Sequence, residues 1–168
     1  VTAELPVHEV TAALKMVSFA AATSSMKPEL SSISLTLEKG ELIAAATDSF
    51  RLAEARVPAK VKSNFGPTLI PARNVQDIIR AIEGVEKVDV RVAENQCSFV
   101  TDQGFITSRT IDGAFPEYGA LIPKQFVAHA TALKEDMVRA FRKVSIFADT
   151  FNQVHISLTP SQKTFAIQ

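Results

Sequence analysis

The sequence predicts an α+β fold built from a repeated unit, in which one helix is followed by two or three antiparallel strands. Three observations support this prediction. Apolar residues recur at helical spacing in three segments, alternating segments of strand length follow these helices, and short stretches of one unit recur in another. The 168 residues, 46% of them hydrophobic, suffice for about one domain and part of another.

The first unit starts with an amphipathic helix. Its apolar stripe has the spacing i, i+4, i+7, i+11 of a single helix face: Val10, Leu14, Val17 and Ala21. Residues 33–37 alternate with period two, and the apolar run 42–46 follows the turn 38–41, which predicts a hairpin. Residues 50–57 alternate again, so we expect a further strand that stops at Pro58.

The second unit starts with a helix that begins at Pro71, in a first-turn position, and ends at Gly84. Its stripe has the spacing i, i+3, i+4, i+7: Val75, Ile78, Ile79 and Ile82. Strands are predicted over three following segments: 88–92, 96–100 and 105–111. Asn95 and Gly104 occupy the turns between them.

The third unit has a helix whose predicted N-cap is Thr131. One face of this helix carries five apolar residues: Leu133, Met137, Phe141, Val144 and Ala148. A hairpin over 154–158 and 164–167, turning at Pro160 and Ser161, follows the helix.

The repeat is visible in the residues themselves. Residues 15–21 read KMVSFAA and residues 142–148 read RKVSIFA, while the strand end Ala46-Thr47-Asp48 is echoed by Val100-Thr101-Asp102. We expect two complete copies and a third that stops after residue 167, with the helices side by side on one face of a continuous antiparallel sheet. Because the chain lacks an initiator Met and ends within an apolar alternation, we expect an excised fragment.

Composition narrows the function classes. The 18 basic and 18 acidic residues give zero formal net charge, which argues against a surface that is basic all over and binds nucleic acid generically. No apolar run reaches the roughly 18 residues of a membrane span and no secretory leader is recognisable, so we expect a cytoplasmic protein. Cys97 has no second cysteine to pair with and is expected to be a buried thiol in a reducing compartment.

No motif predicts catalysis, a metal or a cofactor. His8, His129 and His155 lack partners at ligand or base spacing, and the sequence has no phosphate-binding glycine loop and no nucleophile elbow. The protein is therefore interpreted as a non-enzyme without cofactors. A small enzyme that uses a cleft near Asp48, Arg51 and Asp112 stays open as an alternative.

The helices carry a modest excess of cations. Arg139, Arg142 and Lys143 cluster on one side of the third helix, and Arg73 and Arg80 lie two turns apart on the second. If every helix lies on one side of the sheet, these cations lie on one surface, which could contact DNA phosphates without contacting the bases. Solvated helix faces often show the same pattern.

Two stretches resemble a known family. Residues 45–53 read AATDSFRLA, similar to the A-T-D-x-x-R-L-A signature of the bacterial sliding clamps, the beta subunits of DNA polymerase III. Residues 107–118 read TSRTIDGAFPEY and run on to LIPK at 121–124. This second stretch resembles the family's linker segment S-R-x-(I/V)-D-G-x-F-P-(D/E)-Y-x-x-(L/V)-(I/L)-P.

The resemblance implies a DNA-clamp fold. Residues 1–120 would be a complete clamp middle domain of two repeats, and 121–168 the first half of the third domain. In such a family two protomers close into a ring that encircles duplex DNA, independent of its sequence, and acts as a processivity factor. The implied DNA-facing residues are Lys15, Lys27, Arg73, Arg80, Arg139, Arg142 and Lys143.

The resemblance also implies a groove for extended peptides of the DNA polymerase, the clamp loader and repair proteins. Apolar walls would take the peptide's anchors, and Arg51 would fix its orientation. The matching positions are Leu30, Thr47, Ser49, Phe50, Arg51, Leu52, Pro116, Gly119, Ala120 and Leu121. A DNA-independent protein-interaction domain of similar fold, favoured by the neutral charge, stays open as the second alternative.

Overall fold

The computed structural model describes residues 1–24, 26–59, 61, 63–148 and 153–168. The chain divides into two compact units, Val1–Pro116 and Glu117–Gln168. The predicted boundary after residue 120 is therefore close to the division between these units, and its interpretation as a boundary between clamp domains stays a prediction.

Helices and antiparallel strands alternate through both units, as predicted for an α+β fold. The α-helices are α1 (Val7–Val17), α2 (Val75–Ile82) and α3 (Lys134–Ser145). The strands are β1 (Thr2–Pro6), β2 (Ser32–Glu38), β3 (Glu41–Thr47), β4 (Leu52–Pro58), β5 (Phe65–Pro71), β6 (Lys87–Val92), β7 (Gln96–Val100), β8 (Phe105–Arg109), β9 (Ile156–Thr159) and β10 (Thr164–Ile167). Short 3-10 turns cover Ser18–Ala20, Ala72–Asn74, Tyr118–Ala120 and Pro160–Gln162.

The first compact unit, Val1–Pro116, contains the first two of the predicted repeats. Each repeat consists of one strand, one helix and three further strands, and the two repeats exchange their first strands. One four-stranded sheet has the order β4-β3-β2-β5 and the other the order β1-β6-β7-β8. Thus β5 of the second copy pairs with β2 of the first, and β1 of the first pairs with β6 of the second. The expected continuous sheet is wrong for this unit: two sheets form, and an isolated bridge between Leu69 and Ile111 links their ends.

Both helices contribute to one apolar core. α1 packs on β3 and β4, α2 packs on β7 and β8, and the two helices also contact each other. The predicted stripes of both helices are buried, and β7 adds Cys97 and Phe99, which are fully enclosed. Burial raises the pKa of the Cys97 thiol to about 12, so the thiol stays protonated, as expected for an unreactive core cysteine.

The β2–β3 hairpin forms where predicted. Its turn residues Lys39 and Gly40 have φ angles of 52° and 77°, so both occupy the left-handed region that a two-residue hairpin turn requires. Other boundaries differ. Phe50 and Arg51 lie in a turn before β4, whereas a strand was expected from Phe50. Pro71 ends β5 and directly precedes the 3-10 turn Ala72–Asn74 that leads into α2, so the helical segment begins one residue after Pro71 and the α-helix itself only at Val75. β8 stops at Arg109, two residues earlier than predicted.

The second unit contains α3 and the β9–β10 hairpin, which contact each other. α3 begins after Leu133, and no side chain caps its N-terminus, so the assignment of Thr131 as the cap is wrong. Met137, Phe141 and Val144 are half-buried, whereas Leu133 is exposed. Ala148 lies beyond the last turn of the helix. No α3 side chain is fully buried among the residues that the structure describes.

In the described parts of the chain, no helix has both the length and the apolar character that a membrane crossing requires.

Candidate functional site

The turn between β3 and β4 contains most of the predicted groove residues of the first unit. Thr47 ends β3 and pairs with Leu52, which begins β4. The Thr47 hydroxyl donates to the carbonyl oxygen of Arg51 at 2.8 Å and accepts from the N–H of Ser49 at 3.1 Å. Because a threonine at this strand end bonds both sides of the turn, it fixes the turn's shape.

Asp48 braces the same turn from the other side. Its Oδ1 accepts from the backbone N–H groups of Phe50 at 3.0 Å and of Arg51 at 2.9 Å. This is the local side-chain-to-backbone pattern in which aspartate is favoured at turns. Ser49 has φ 78°, in the left-handed region, and the turn leaves the Phe50 side chain 97% exposed. The turn thus presents an aromatic ring to solvent on a rigid backbone.

The Arg51 side chain is held by two partners. Its Nε donates to Asp48 Oδ2 at 2.9 Å, and its Cζ lies 5.8 Å from the centre of the Phe19 ring. The first contact is an ion pair, and the second is a cation–π contact with an aromatic residue from the end of α1. Both contacts orient the guanidinium, although it is more than half exposed to solvent.

Hydrogen bonds to the Asp48 carboxylate lower its pKa below the ordinary 3.8. The largest contribution comes from the backbone N–H of Arg51 and the next from that of Phe50. The Arg51 guanidinium also lowers this pKa. A lowered pKa means that the turn's bonds persist down to the folded-state pKa and are lost as the pH falls through it.

We therefore expect the amide signals of Phe50 and Arg51 to move together in an acid titration followed by two-dimensional NMR, with a midpoint below 3.8. In Asp48→Asn, which cannot ionise, this shared titration should vanish. A midpoint at or above 3.8 would contradict the bracing role of Asp48.

The other predicted groove residues lie in two places. In the first unit, Leu30 is 8% exposed and its backbone is held by hydrogen bonds to Lys27 and Ala22, and Pro116 is exposed. In the second unit, Gly119 and Ala120 belong to a 3-10 turn, and Leu121 follows it with a 76% exposed side chain. Leu52 is half-buried beside the β3–β4 turn. Whether these residues form one groove stays a prediction.

The predicted DNA-facing residues are all exposed: Lys15, Lys27, Arg73, Arg80, Arg139, Arg142 and Lys143. Two of them have acidic neighbours one helical turn earlier. Arg80 pairs with Asp77 at 3.4 Å, and Arg139 pairs with Asp136. Among the described residues, no ion pair involves Lys15, Lys27 or Arg73. The DNA role of this set stays a prediction.

The three residues of the enzyme alternative do not form one site. Asp48 and Arg51 bond each other, but Asp112 lines a different cleft, next to Pro67, Asn95 and Gly113. No hydrogen bond joins Asp112 to either of the other two within the described ranges. In the same ranges, no group of three histidine, cysteine or acidic residues is arranged to hold a metal ion.

Phe19 is a site residue that the sequence reasoning missed. It follows Val17 by two positions, so it falls off the apolar stripe of α1, and it is 62% exposed. A large aromatic residue on the polar side of a helix end is the signal that would have pointed to it. Its partner Arg51 is distant in sequence, so the contact itself required the fold.

Comparisons with known proteins show the family and the fold of this chain. Residues 4–117 match the family model described as the central domain of the DNA polymerase III beta subunit. The chain belongs to this family. It is 28% identical over 165 residues to the beta sliding clamp of Synechocystis sp. and 30% identical over 156 residues to that of Synechococcus elongatus. Each alignment covers 89% of the chain, but 42% and 41% of the respective relative.

Solved structures have the same fold. The sliding clamp of Bacillus subtilis matches all of the chain with a TM-score of 0.80 at 20% identity, and the chain covers 48% of that protein. The sliding clamp of Pseudomonas aeruginosa, solved with griselimycin bound, matches with a TM-score of 0.84 at 18% identity, over 100% of the chain and 49% of the relative. The predicted DNA-clamp fold is therefore confirmed, and the chain spans under half the length of each of these four relatives.

Proposed function

We propose that this chain is the middle domain and the first half of the third domain of a bacterial sliding clamp. The full-length protomer would form a two-protomer ring around duplex DNA and hold the replicative polymerase by topology, as a cytoplasmic processivity factor without catalysis of its own. The observation that carries the proposal is the family match over 4–117, which includes the braced β3–β4 turn.

The fold supports the proposed tethering role because its two repeats share one buried core and leave the outer faces of their helices exposed. Lys15 on α1 and Arg80 on α2 are exposed, while the opposite stripes of the same helices are buried in the core. Such cations attract phosphates without base contacts, so they suit a protein that slides along DNA. The ion pair of Arg80 with Asp77 moderates its charge, which suits weak and transient contacts.

The partner surface is the proposed peptide groove around the β3–β4 turn. Leu52 and Leu121 would supply apolar walls for the anchors of an extended peptide, and Arg51 would bind its polar atoms. Partners of this chemistry are the polymerase, the clamp loader and repair proteins. Ligand binding by the structurally similar Pseudomonas clamp is consistent with a ligand site on this fold.

The groove is tested by removing one anchor contact at a time in the full-length protomer. Leu52→Ala and Leu121→Ala should each raise the Kd of a fluorescent clamp-binding peptide about tenfold, because each removes part of an apolar wall. Fluorescence anisotropy measures the change directly. Lys163→Ala and the matched leucine variant Leu158→Ala, both outside the groove, should leave the Kd unchanged.

Equal affinity for all four variants would refute the groove. If the peptide bound normally but the protomer showed no topological dependence on DNA, the result would favour a DNA-independent interaction domain of the same fold.

A further inference from the structure

We infer that Phe19 positions Arg51 for peptide binding, so that the terminal amino groups of the guanidinium face an acceptor oxygen of the bound peptide. The inference rests on the proposed function of the β3–β4 turn and adds to it a residue outside the recognised motifs. Its basis is the arrangement of three side chains from two distant segments: Phe19 from the end of α1, and Asp48 and Arg51 from the turn.

The Arg51 guanidinium has five N–H donors, of which the structure uses one. Nε donates to Asp48 Oδ2 at 2.9 Å. Within the described part of the chain, neither terminal nitrogen has a hydrogen-bond partner, and the side chain is 54% exposed. Four donors in a planar fork are therefore available to a ligand, and this fork suits a carboxylate or a pair of backbone carbonyl oxygens.

Phe19 covers a face of this fork. The Phe19 ring centre lies 5.8 Å from Arg51 Cζ, within the range of a cation–π contact. Asp48 fixes the Nε edge of the guanidinium, but one hydrogen bond leaves its plane free to rotate about that contact. The ring removes much of this freedom, so the two partners together define the direction of the free donors.

The backbone around Phe19 is well anchored. The residues on either side of the Ser18–Phe19 pair, Val17 and Ala20, are fully buried in the core, and Ala21 is also buried. The Ser18–Ala20 segment forms a 3-10 turn that extends α1, and the N–H of Ala21 bonds the carbonyl of Ser18. Phe19 is thus held by its neighbours, while its own ring contributes little to the core. A role of the ring in orienting Arg51 would explain why this aromatic side chain is exposed to solvent.

An arginine that is oriented before binding loses less conformational entropy when the peptide binds. Removal of the ring should therefore weaken peptide binding, although no groove wall is lost. The expected effect is about three- to fivefold in Kd, the range of an exposed cation–π contact. A similar effect is expected only for ligands that use Arg51.

The test uses the full-length protomer and one fluorescent clamp-binding peptide. The variants are Phe19→Ala, Phe19→Tyr, Arg51→Ala, the double variant Phe19→Ala/Arg51→Ala, and Leu52→Ala as the groove control. Because Phe19 is 62% exposed, Phe19→Ala should unfold within a few degrees of the wild type, which separates positioning from folding.

We expect Phe19→Ala to raise the Kd three- to fivefold, Phe19→Tyr to restore wild-type affinity, and Phe19→Ala to have no further effect when Arg51 is already alanine. Repeating the series at high salt separates the ligand groups: a carboxylate contact weakens strongly with salt, and a carbonyl contact weakens little.

Three results would overturn the inference. Additive effects of Phe19→Ala and Arg51→Ala would show that Phe19 does not act through Arg51. Unchanged binding by Phe19→Ala together with weakened binding by Leu52→Ala would leave the groove intact and remove Phe19 from it. If Leu52→Ala also bound normally, the proposed groove itself would be wrong, and the inference with it.

Discussion

Gly66→Ala is expected to lower the unfolding free energy of the chain by about 3 kcal/mol. A Cβ on Gly66 would lie 2.7 Å from Thr36 Cα and 2.9 Å from Thr36 Cβ. Because the first contact is with backbone, rotation of a side chain cannot relieve it. Gly66 also has φ 127°, a conformation that L side chains rarely adopt, so strain of the backbone adds to the overlap. The midpoint of thermal unfolding followed by circular dichroism should fall by about 10 °C.

Gly84→Ala is the matched control. Gly84 has φ 90°, but a Cβ there would meet no atom within 4 Å. Only the backbone strain is introduced, so we expect a smaller loss, about 1–2 kcal/mol. Equal losses for the two variants would contradict the claim that the close approach of β5 to β2 is what requires glycine at position 66.

The same contact explains why β5 was missed in the sequence. Gly66 and Pro67 lie inside the strand, and this pair normally argues against one. β5 is an edge strand of its sheet, and the pairing of β2 with β5 shifts register between Leu35 and Leu37, opposite the Gly66-Pro67 pair. An edge position tolerates the missing N–H of proline, and the irregular register brings Thr36 close to the glycine. Neither feature can be read from local sequence.

β1 was missed for a different reason. Ala3 and Leu5 are buried and the residues beside them are exposed or half-buried, so the alternation is present but covers only five residues. Its partner β6 lies in the other copy of the repeat. The repeat was predictable from helix stripes and echoed motifs, whereas the exchange of first strands between copies depends on long-range pairing.

The sequence motif of the candidate site could be recognised in advance, whereas the side-chain contacts within the site could not. The stretch AATDSFRLA identified the turn, and the hydrogen bonds of Thr47 and Asp48 explain why those residue types suit it. The expectation of a strand from Phe50 onward failed because Asp48 bonds the N–H groups of Phe50 and Arg51, which removes both from strand pairing. Phe19 entered the site only through folding.

The positions of the charged residues on the helices were predicted from the sequence, but the ion pairs that these residues form were not. Arg80 and Arg139 each pair with an acidic residue one turn earlier on the same helix. With zero formal net charge, the chain is poorly suited to bind DNA tightly through phosphate contacts alone. Under the proposed function, retention on DNA would therefore come from a closed ring, and the proposal predicts that binding depends on DNA topology.

The second prediction concerns the full-length protein: it should dissociate from DNA when a circular plasmid is cut and its ends become free. We expect protein loaded on nicked circular plasmid by its clamp loader and ATP to stay with the plasmid through gel filtration at about 0.5 M salt, where phosphate contacts are weak. Cutting the same plasmid once should release nearly all of the bound protein, because a ring slides off a free DNA end. Blocking both ends with a tightly bound protein should restore retention.

This comparison of circular, cut and end-blocked plasmid is the most direct test of the sliding-clamp proposal. The proposal predicts retention, release and retention, in that order, at unchanged DNA length and sequence. Equal retention on circular and cut plasmid, with a steep loss as salt rises, would show direct binding to phosphates and would contradict a topological tether.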